Sequence, residues 1–200
     1  MAGAWTACEN QGMLDPVIAV HLDRAEACWA AALTLTTEDD LDCASGCADW
    51  SNRELVNHLV GGGARYAMLL RQEPPAEVEA TRGLDHLGED PLAAFWELER
   101  EFRTAAAAVD LSVPVSHRIG ALPGDQLVRM RILELALHAA DLSRGTGYAW
   151  PIDDALAEFM ADELGDLIVA LGDTGGYRPP RFGPQAGESA AERVLRISGR

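Results

Sequence analysis

The sequence predicts an all-α protein, a four-helix bundle with one long crossover and an additional C-terminal helix. Three observations carry that expectation. Apolar residues recur at helical spacing in four long stretches, three of them opened by helix-start signals. Few residues anywhere in the chain favour strands. The 200 residues, 48% hydrophobic and 24% charged, suit one soluble domain over 1–200 with a sizeable core.

The first helix starts near Asp15, with Pro16 in its first turn and apolar positions at Val17, Val20, Ala25, Cys28, Ala31 and Ala32. "TTEDDLDCASGCADW" then reads as an acidic, small-residue linker. Ser51 with Glu54 three residues on has the form of a capping box. The second helix follows through "NRELVNHLVGGGARYAMLLRQ", with Leu55, His58, Leu59, Gly62, Tyr66 and Leu69 on one side. "EPPAEVEATRGLDHLGED" is a long polar connection without periodicity, expected to cross the molecule. Asp90 and Pro91 open the third helix, and "SVPVSHRIGALPGD" is irregular with a short extended piece at 115–119. The fourth helix contains "RMRILELALHAADLSRGTG" and ends at Gly145 and Gly147. "IDDALAEFMADELGDLIVALG" makes the fifth, before a Gly-, Pro- and Arg-rich tail.

The fourth helix poses the functional question. From Ile132 to Leu142 every residue is Leu, Ile or Ala except Glu134, His138 and Asp141. Those three fall at i, i+4 and i+7, on one face of a helix otherwise apolar enough for a protein interior. A buried carboxylate costs several kcal/mol unless it is paired, protonated or bound to a metal. Glu134 and His138 can chelate one cation from a single face, and a bundle supplies further ligands from a facing helix. His58, on the inward stripe of the second helix, is the candidate. A hydrogen-bonded Glu/His cluster without metal fits the spacing equally well. The run Gly61, Gly62, Gly63 costs about 1 kcal/mol per glycine inside a helix, which points to close approach of a neighbouring helix or a ligand beside His58.

Composition excludes several classes. A net charge of −16 argues against nucleic acid and anionic membrane surfaces as partners. All 16 basic residues are arginine. No apolar run is long enough to span a bilayer, and the first residues lack the basic and apolar regions of a signal peptide. Cys8, Cys28, Cys43 and Cys47 show no CxxC spacing and read as reduced thiols in a cytoplasmic protein. Cys47 stands just before a helix start, where the dipole can lower a thiol pKa; a small buried residue near the end of the bundle is the plainer account. Trp29, Trp50 and Trp96 read as core anchors. Arg129, Arg131 and Arg144 flank the fourth-helix site, as contacts for an anionic substrate or as a salt-bridged face. His21 and His117 have no partner at ligand spacing, and His86 falls in a polar loop.

"CADWSNRELVNHLVGG" resembles the opening signature of the DinB-like superfamily, most closely its mycothiol-dependent maleylpyruvate isomerase branch. "LELALHAADLSRGTG" is similar to that branch's second signature, Glu-x-x-x-His followed by Asp-Leu and an Arg-x-x-Gly end. "RFGP" and "RVLRISGR" resemble the tail of an actinobacterial subfamily. The chain departs from the pattern where "ASGCADW" replaces a Pro-rich lead and where Ala140 replaces a common tryptophan. The resemblance implies a divalent metal, commonly zinc, held by His58, Glu134 and His138, with open positions for water or a thiol. Asp141 then serves as the acceptor for a metal-bound histidine's other nitrogen. A coordinated thiol ionises, and the thiolate is the nucleophile. The implied activity is a mycothiol S-transferase or thiol-assisted isomerase acting on a small electrophile. A non-catalytic metal or small-molecule binding protein, and a hydrolase using metal-activated water, remain open alternatives. The resemblance also implies homodimerisation through an outer helix.

Overall fold

The computed structural model describes residues 14–48, 50–173 and 182–200. The reading of the first residues, the Cys8 thiol, Asp49 of the first signature, and the tail at 174–181 with Arg181 of "RFGP" lie outside them. Four long helices form the body: α1 (Pro16–Thr34), α3 (Asn52–Leu70), α5 (Pro91–Ala108) and α6 (Gly124–Thr146). Shorter elements are α2 (Glu38–Leu41), α4 (Pro75–Ala80), α7 (Asp154–Asp162), α8 (Gly165–Asp173), α9 (Ala190–Ile197) and a hairpin of β1 (Pro114–His117) and β2 (Gly120–Pro123).

The starts are as local chemistry dictates. Asp15 accepts from Val17 N at 2.8 Å, with Pro16 at the first position. Ser51 and Glu54 form a reciprocal capping box, Glu54 N donating to Ser51 Oγ at 3.2 Å and Ser51 N to Glu54 Oε2 at 2.8 Å. Asp90 caps α5 through Ala93 N at 2.9 Å. Gly147, at φ 79°, ends α6 in the left-handed conformation that glycine adopts without cost.

Packing runs α5–α3–α6–α1, with α3 lying between α5 and α6. The connection at 71–90 therefore joins neighbours; a helical segment, α4, and a 3-10 turn at Thr81–Gly83 take up its length. The long crossings fall instead at 35–51, from α1 to α3, and at 109–123, from α5 to α6. The expected fifth helix is two helices, α7 and α8, broken just before Gly165. Glycine's helix penalty makes an interruption there inexpensive. The irregular segment after α5 closes into the hairpin, pairing Val115 with Leu122 and burying both.

The glycine run explains how α3 sits so close to its neighbours. A Cβ on Gly63 would lie 2.8 Å from the Leu98 backbone of α5. One on Gly62 would overlap Arg131 Nη1 of α6, and one on Gly61 would overlap the His86 ring. The close approach expected from sequence is thus made by a helix and two side chains. Trp29 is fully buried, but Trp96 is 40% exposed and is no core anchor: it turns outward from α5 beside buried Phe95.

Candidate metal centre

Helix α6 carries most of the centre because it is the most buried element. Its apolar residues from Leu127 to Leu142 form core on nearly every side, so its polar residues must find partners inside. Arg131, fully buried, opens the polar face. It donates from Nη2 to Glu99 Oε2 at 2.6 Å and from Nε to the same oxygen at 3.1 Å. Nη2 also reaches Leu59 O at 3.1 Å, and Nη1 stands 3.6 Å from Glu134 Oε2. Arg131 therefore faces protein carboxylates, which settles it as a salt-bridged residue and removes it as a contact for an anionic substrate.

Glu134 follows one turn later and is partly buried. Burial alone would raise its pKa. The charge of a protonated His58, the guanidinium of Arg131, a protonated His138 and the Arg65 guanidinium together hold it below the ordinary carboxylate range. Burial pushes the His58 imidazole itself down to about 3, so at neutral pH it is uncharged, with the guanidinium groups of Arg131 and Arg65 standing beside the Glu134 carboxylate. Arg65 is tied to the same helix, donating from Nη2 to His58 O at 2.5 Å, with Nη2 3.5 Å from His58 Nδ1.

His58 on α3 and His138 on α6 meet with ring centroids 5.5 Å apart, nearly perpendicular. Trp50, immediately before the α3 cap, lies 4.8 Å from the His58 ring and 6.3 Å from that of His138. His138 Nδ1 is 3.0 Å from Asp141 Oδ2. A carboxylate acceptor there favours the tautomer with hydrogen on Nδ1, which leaves the Nε2 lone pair open. Asp141 is itself gripped by Arg200, whose Nη2 donates to Oδ2 at 2.9 Å and Nε to Oδ1 at 3.1 Å. Burial works against the charge on Asp141, but His138 and Arg200 hold its carboxyl below the usual range.

Beside His58 and Glu134 is a cavity of about 30 Å³, rimmed by Arg65, Arg82, His117 and Arg118. The hairpin delivers the last two, so His117, to which sequence gave no partner, borders the centre. Its signal was absent because a two-stranded hairpin cannot be read from helical spacing. His86 serves structure instead: its backbone N donates to Asn57 Oδ1 at 2.7 Å and its Nε2 lies 2.9 Å from Thr81 O, stitching the 81–87 segment onto α3.

The loop at 43–51 closes the other side. Gly46 N donates to Asp141 O at 2.9 Å, and a Cβ on Gly46 would lie 2.9 Å from the Asp141 Cα. Ser45 Oγ accepts from Cys47 N at 3.1 Å and lies 2.9 Å from the carbonyls of both Cys47 and Trp50. This clamps Cys47 against α6. Among the described residues, one group of three ligand-type side chains has its donor atoms within 4.8 Å of one another: Cys47, His138 and Asp141. Sequence placed Cys47 near the end of the bundle and apart from the ligands; the loop brings it to His138. Two imidazoles, one uncharged and one oriented by a carboxylate, with an ionised Glu134 beside them, offer the nitrogen and oxygen donors a divalent cation takes.

Residues 22–143 match the family model described as the mycothiol maleylpyruvate isomerase N-terminal domain. Two uncharacterized proteins of Mycobacterium tuberculosis, Rv0738 (strain ATCC 25618 / H37Rv) and MT0763 (strain CDC 1551 / Oshkosh), are each 28% identical over 146 residues, 72% of this chain and 74% of theirs. Among solved structures, the crystal structure of the mycothiol-dependent maleylpyruvate isomerase superposes with a TM-score of 0.58 at 16% identity, covering 78% of this chain and 72% of that one. A His-to-Ala mutant of that enzyme superposes with a TM-score of 0.57. At this identity the likeness is one of fold.

Proposed function

Because the chain belongs to the mycothiol maleylpyruvate isomerase N-terminal domain family of the DinB-like superfamily, we propose that it is an enzyme activating a low-molecular-weight thiol, mycothiol, at a divalent metal, zinc in the simplest case. The reaction is S-transfer to a small electrophile or thiol-assisted isomerisation of it. His58, Glu134 and His138 hold the metal in this reading, and Asp141 orients His138. The observation that supports it best is the meeting of the His58 and His138 imidazoles from two helices, 5.5 Å apart, beside an ionised Glu134.

The metal, when bound, supplies acidity to a coordinated thiol. The chain's residues supply the rest. Burial keeps His58 uncharged, so its lone pair is available without loss of a proton. Asp141 takes the Nδ1 hydrogen of His138 and turns Nε2 outward. His58, Arg131, His138 and Arg65 together hold Glu134 below the ordinary carboxylate range. Trp50 packs beside both imidazoles, 4.8 Å from the His58 ring and 6.3 Å from that of His138. The acidic surface, at −16, suits a small-molecule enzyme without a nucleic-acid partner. No helix among the described residues is long and apolar enough to cross a membrane. A single domain over 1–200, a cytoplasmic location and a homodimer complete the reading.

The test is metal analysis of zinc-reconstituted protein, then conjugation of a generic electrophile with mycothiol present or absent. About one metal per chain and mycothiol-dependent turnover, lost in His138→Ala with the fold retained, is the expected result. Turnover independent of thiol would instead favour metal-activated water. Tight binding of a small molecule without turnover would favour a binding protein.

A further inference from the structure

The 43–51 loop is more elaborate than a connection requires. Gly46 is pressed onto the α6 backbone where a side chain would not fit, Ser45 ties the loop to itself at Cys47 and Trp50, and Ala44 bridges to Ser51. The result is that Cys47 Sγ and Trp50 both face His138. We propose that Cys47 is a ligand of the metal held by His138, a thiolate adding sulfur to the imidazole and carboxylate donors; this rests on the metal-centre reading above.

Two physical arguments support it. The first is position: Cys47 Sγ, a ring nitrogen of His138 and an oxygen of Asp141 lie within 4.8 Å of one another, the one such trio among the described residues. Asp141 is engaged by Arg200 and by His138 Nδ1; a thiol becomes a ligand by giving up its proton to the metal, whatever contact it makes beforehand. The second is charge. Arg131 and Arg65 stand against Glu99 and Glu134, and Arg200 neutralises Asp141, so three guanidinium groups balance three carboxylates and the centre offers a divalent cation little uncompensated negative charge. A thiolate supplies it. On binding, the S–H bond breaks, a sulfur–metal bond forms and the proton passes to solvent; no oxidant or reductant is involved. Sulfur also selects among metals, favouring zinc and cobalt over magnesium, calcium or manganese.

Cobalt(II) reconstitution of the full chain tests this without relying on turnover. The wild type should show a sulfur-to-cobalt charge-transfer band in the near ultraviolet, with about one cobalt per chain. Cys47→Ser should lose that band while keeping visible ligand-field bands and bound cobalt, and should hold zinc about tenfold more weakly or worse against a competing chelator. Cys47→Ala serves as the second variant should the serine form fold poorly. Cobalt bound by the wild type without a charge-transfer band overturns the assignment of Cys47 and leaves the His58, Glu134, His138 centre standing. A band that survives in both variants also overturns it, since the sulfur then comes from elsewhere. Wild-type protein that binds neither cobalt nor zinc sinks the metal centre and this inference together.

Discussion

Replacing Asp141 by asparagine changes one oxygen to an amide and leaves the volume of the side chain nearly the same. In the native protein that carboxylate serves two donors, the His138 Nδ1 hydrogen at 3.0 Å and the Arg200 guanidinium at 2.9–3.2 Å, with Asp141 buried and Arg200 nearly so. Oδ2 accepts from both partners, and Oδ1 only from Arg200 Nε. An asparagine oxygen at the Oδ2 position therefore keeps both contacts, but as a neutral acceptor, and the amino group at the Oδ1 position meets Arg200 Nε donor against donor. The largely buried guanidinium loses its counter-charge and charge-assisted hydrogen bonding worth about 1.5–3 kcal/mol, and the His138 Nδ1 hydrogen keeps a weaker acceptor. Changing such an acceptor behind a metal-bound histidine typically weakens the metal about 10–100-fold. The expected outcome is therefore a fold that survives with stability lowered by about 2 kcal/mol and a zinc affinity lowered at least about tenfold. Urea unfolding of metal-free protein measures the first, and chelator competition the second. An Asp141→Asn protein that binds zinc as tightly as wild type would refute the idea that Asp141 prepares His138.

Two further outcomes follow from the buried charges. His58 has its pKa pushed down from 6.5 to about 3 by burial, so the unfolded chain binds a proton there that the folded chain refuses. Stability of the metal-free protein should fall as pH drops below 6.5, by at most about 1.4 kcal/mol per unit for this group and less in so far as the ring sees solvent. Glu26, which burial pushes up to about 7, works in the opposite sense, losing stability as pH rises toward 7. The comparison is consequently with His58→Leu, whose acid limb in unfolding titrations should be shallower; an unchanged slope assigns the effect to another group. Arg131→Met strands the buried Glu99 carboxylate and should cost about 3–5 kcal/mol, whereas adding Glu99→Leu should recover most of it. Non-recovery in the double variant, read by denaturant midpoints, would mean that Arg131 acts through Leu59 O and Glu134 instead.

What sequence could show depended on how local the determinant was. The caps at Asp15, Ser51 and Asp90 and the glycine stop at Gly147 each involve contacts within a few residues, and all were readable. The stripe of Glu134, His138 and Asp141 was readable because polar residues interrupt an apolar helix at one spacing. Glu99 carried the same signal, standing between Phe95 and Phe102 on the buried side of α5, but an amphipathic helix has enough acidic residues to hide it. The helix neighbours, the position of the crossings and the approach of Cys47 to His138 depend on contacts between distant segments, to which periodicity is blind. The hairpin was missed for another reason: eight strand residues with proline at both ends give too short an alternation to read.

The ion pairs of α6 make most sense as a bracket around the proposed centre. Arg131 and Arg200 stand at the two ends of the polar face, each bound to a carboxylate that sequence alone would have left stranded in the core. Buried pairs of this kind add little net stability, because desolvation offsets most of the attraction. A helix selected for stability alone would carry leucine at these positions, as it does at Leu133, Leu135, Leu137 and Leu142. What the pairs do provide is fixed orientation at low dielectric: Glu134 is held below the ordinary carboxylate range before any metal binds, and Asp141 stays on His138 Nδ1. The centre is thus folded and charge-balanced before any ligand arrives. A divalent cation entering it brings charge that those carboxylates have already spent on arginine. The cation therefore holds best together with an anionic sulfur, from Cys47 or from the thiol co-substrate, and that demand is met by the chemistry proposed for the enzyme.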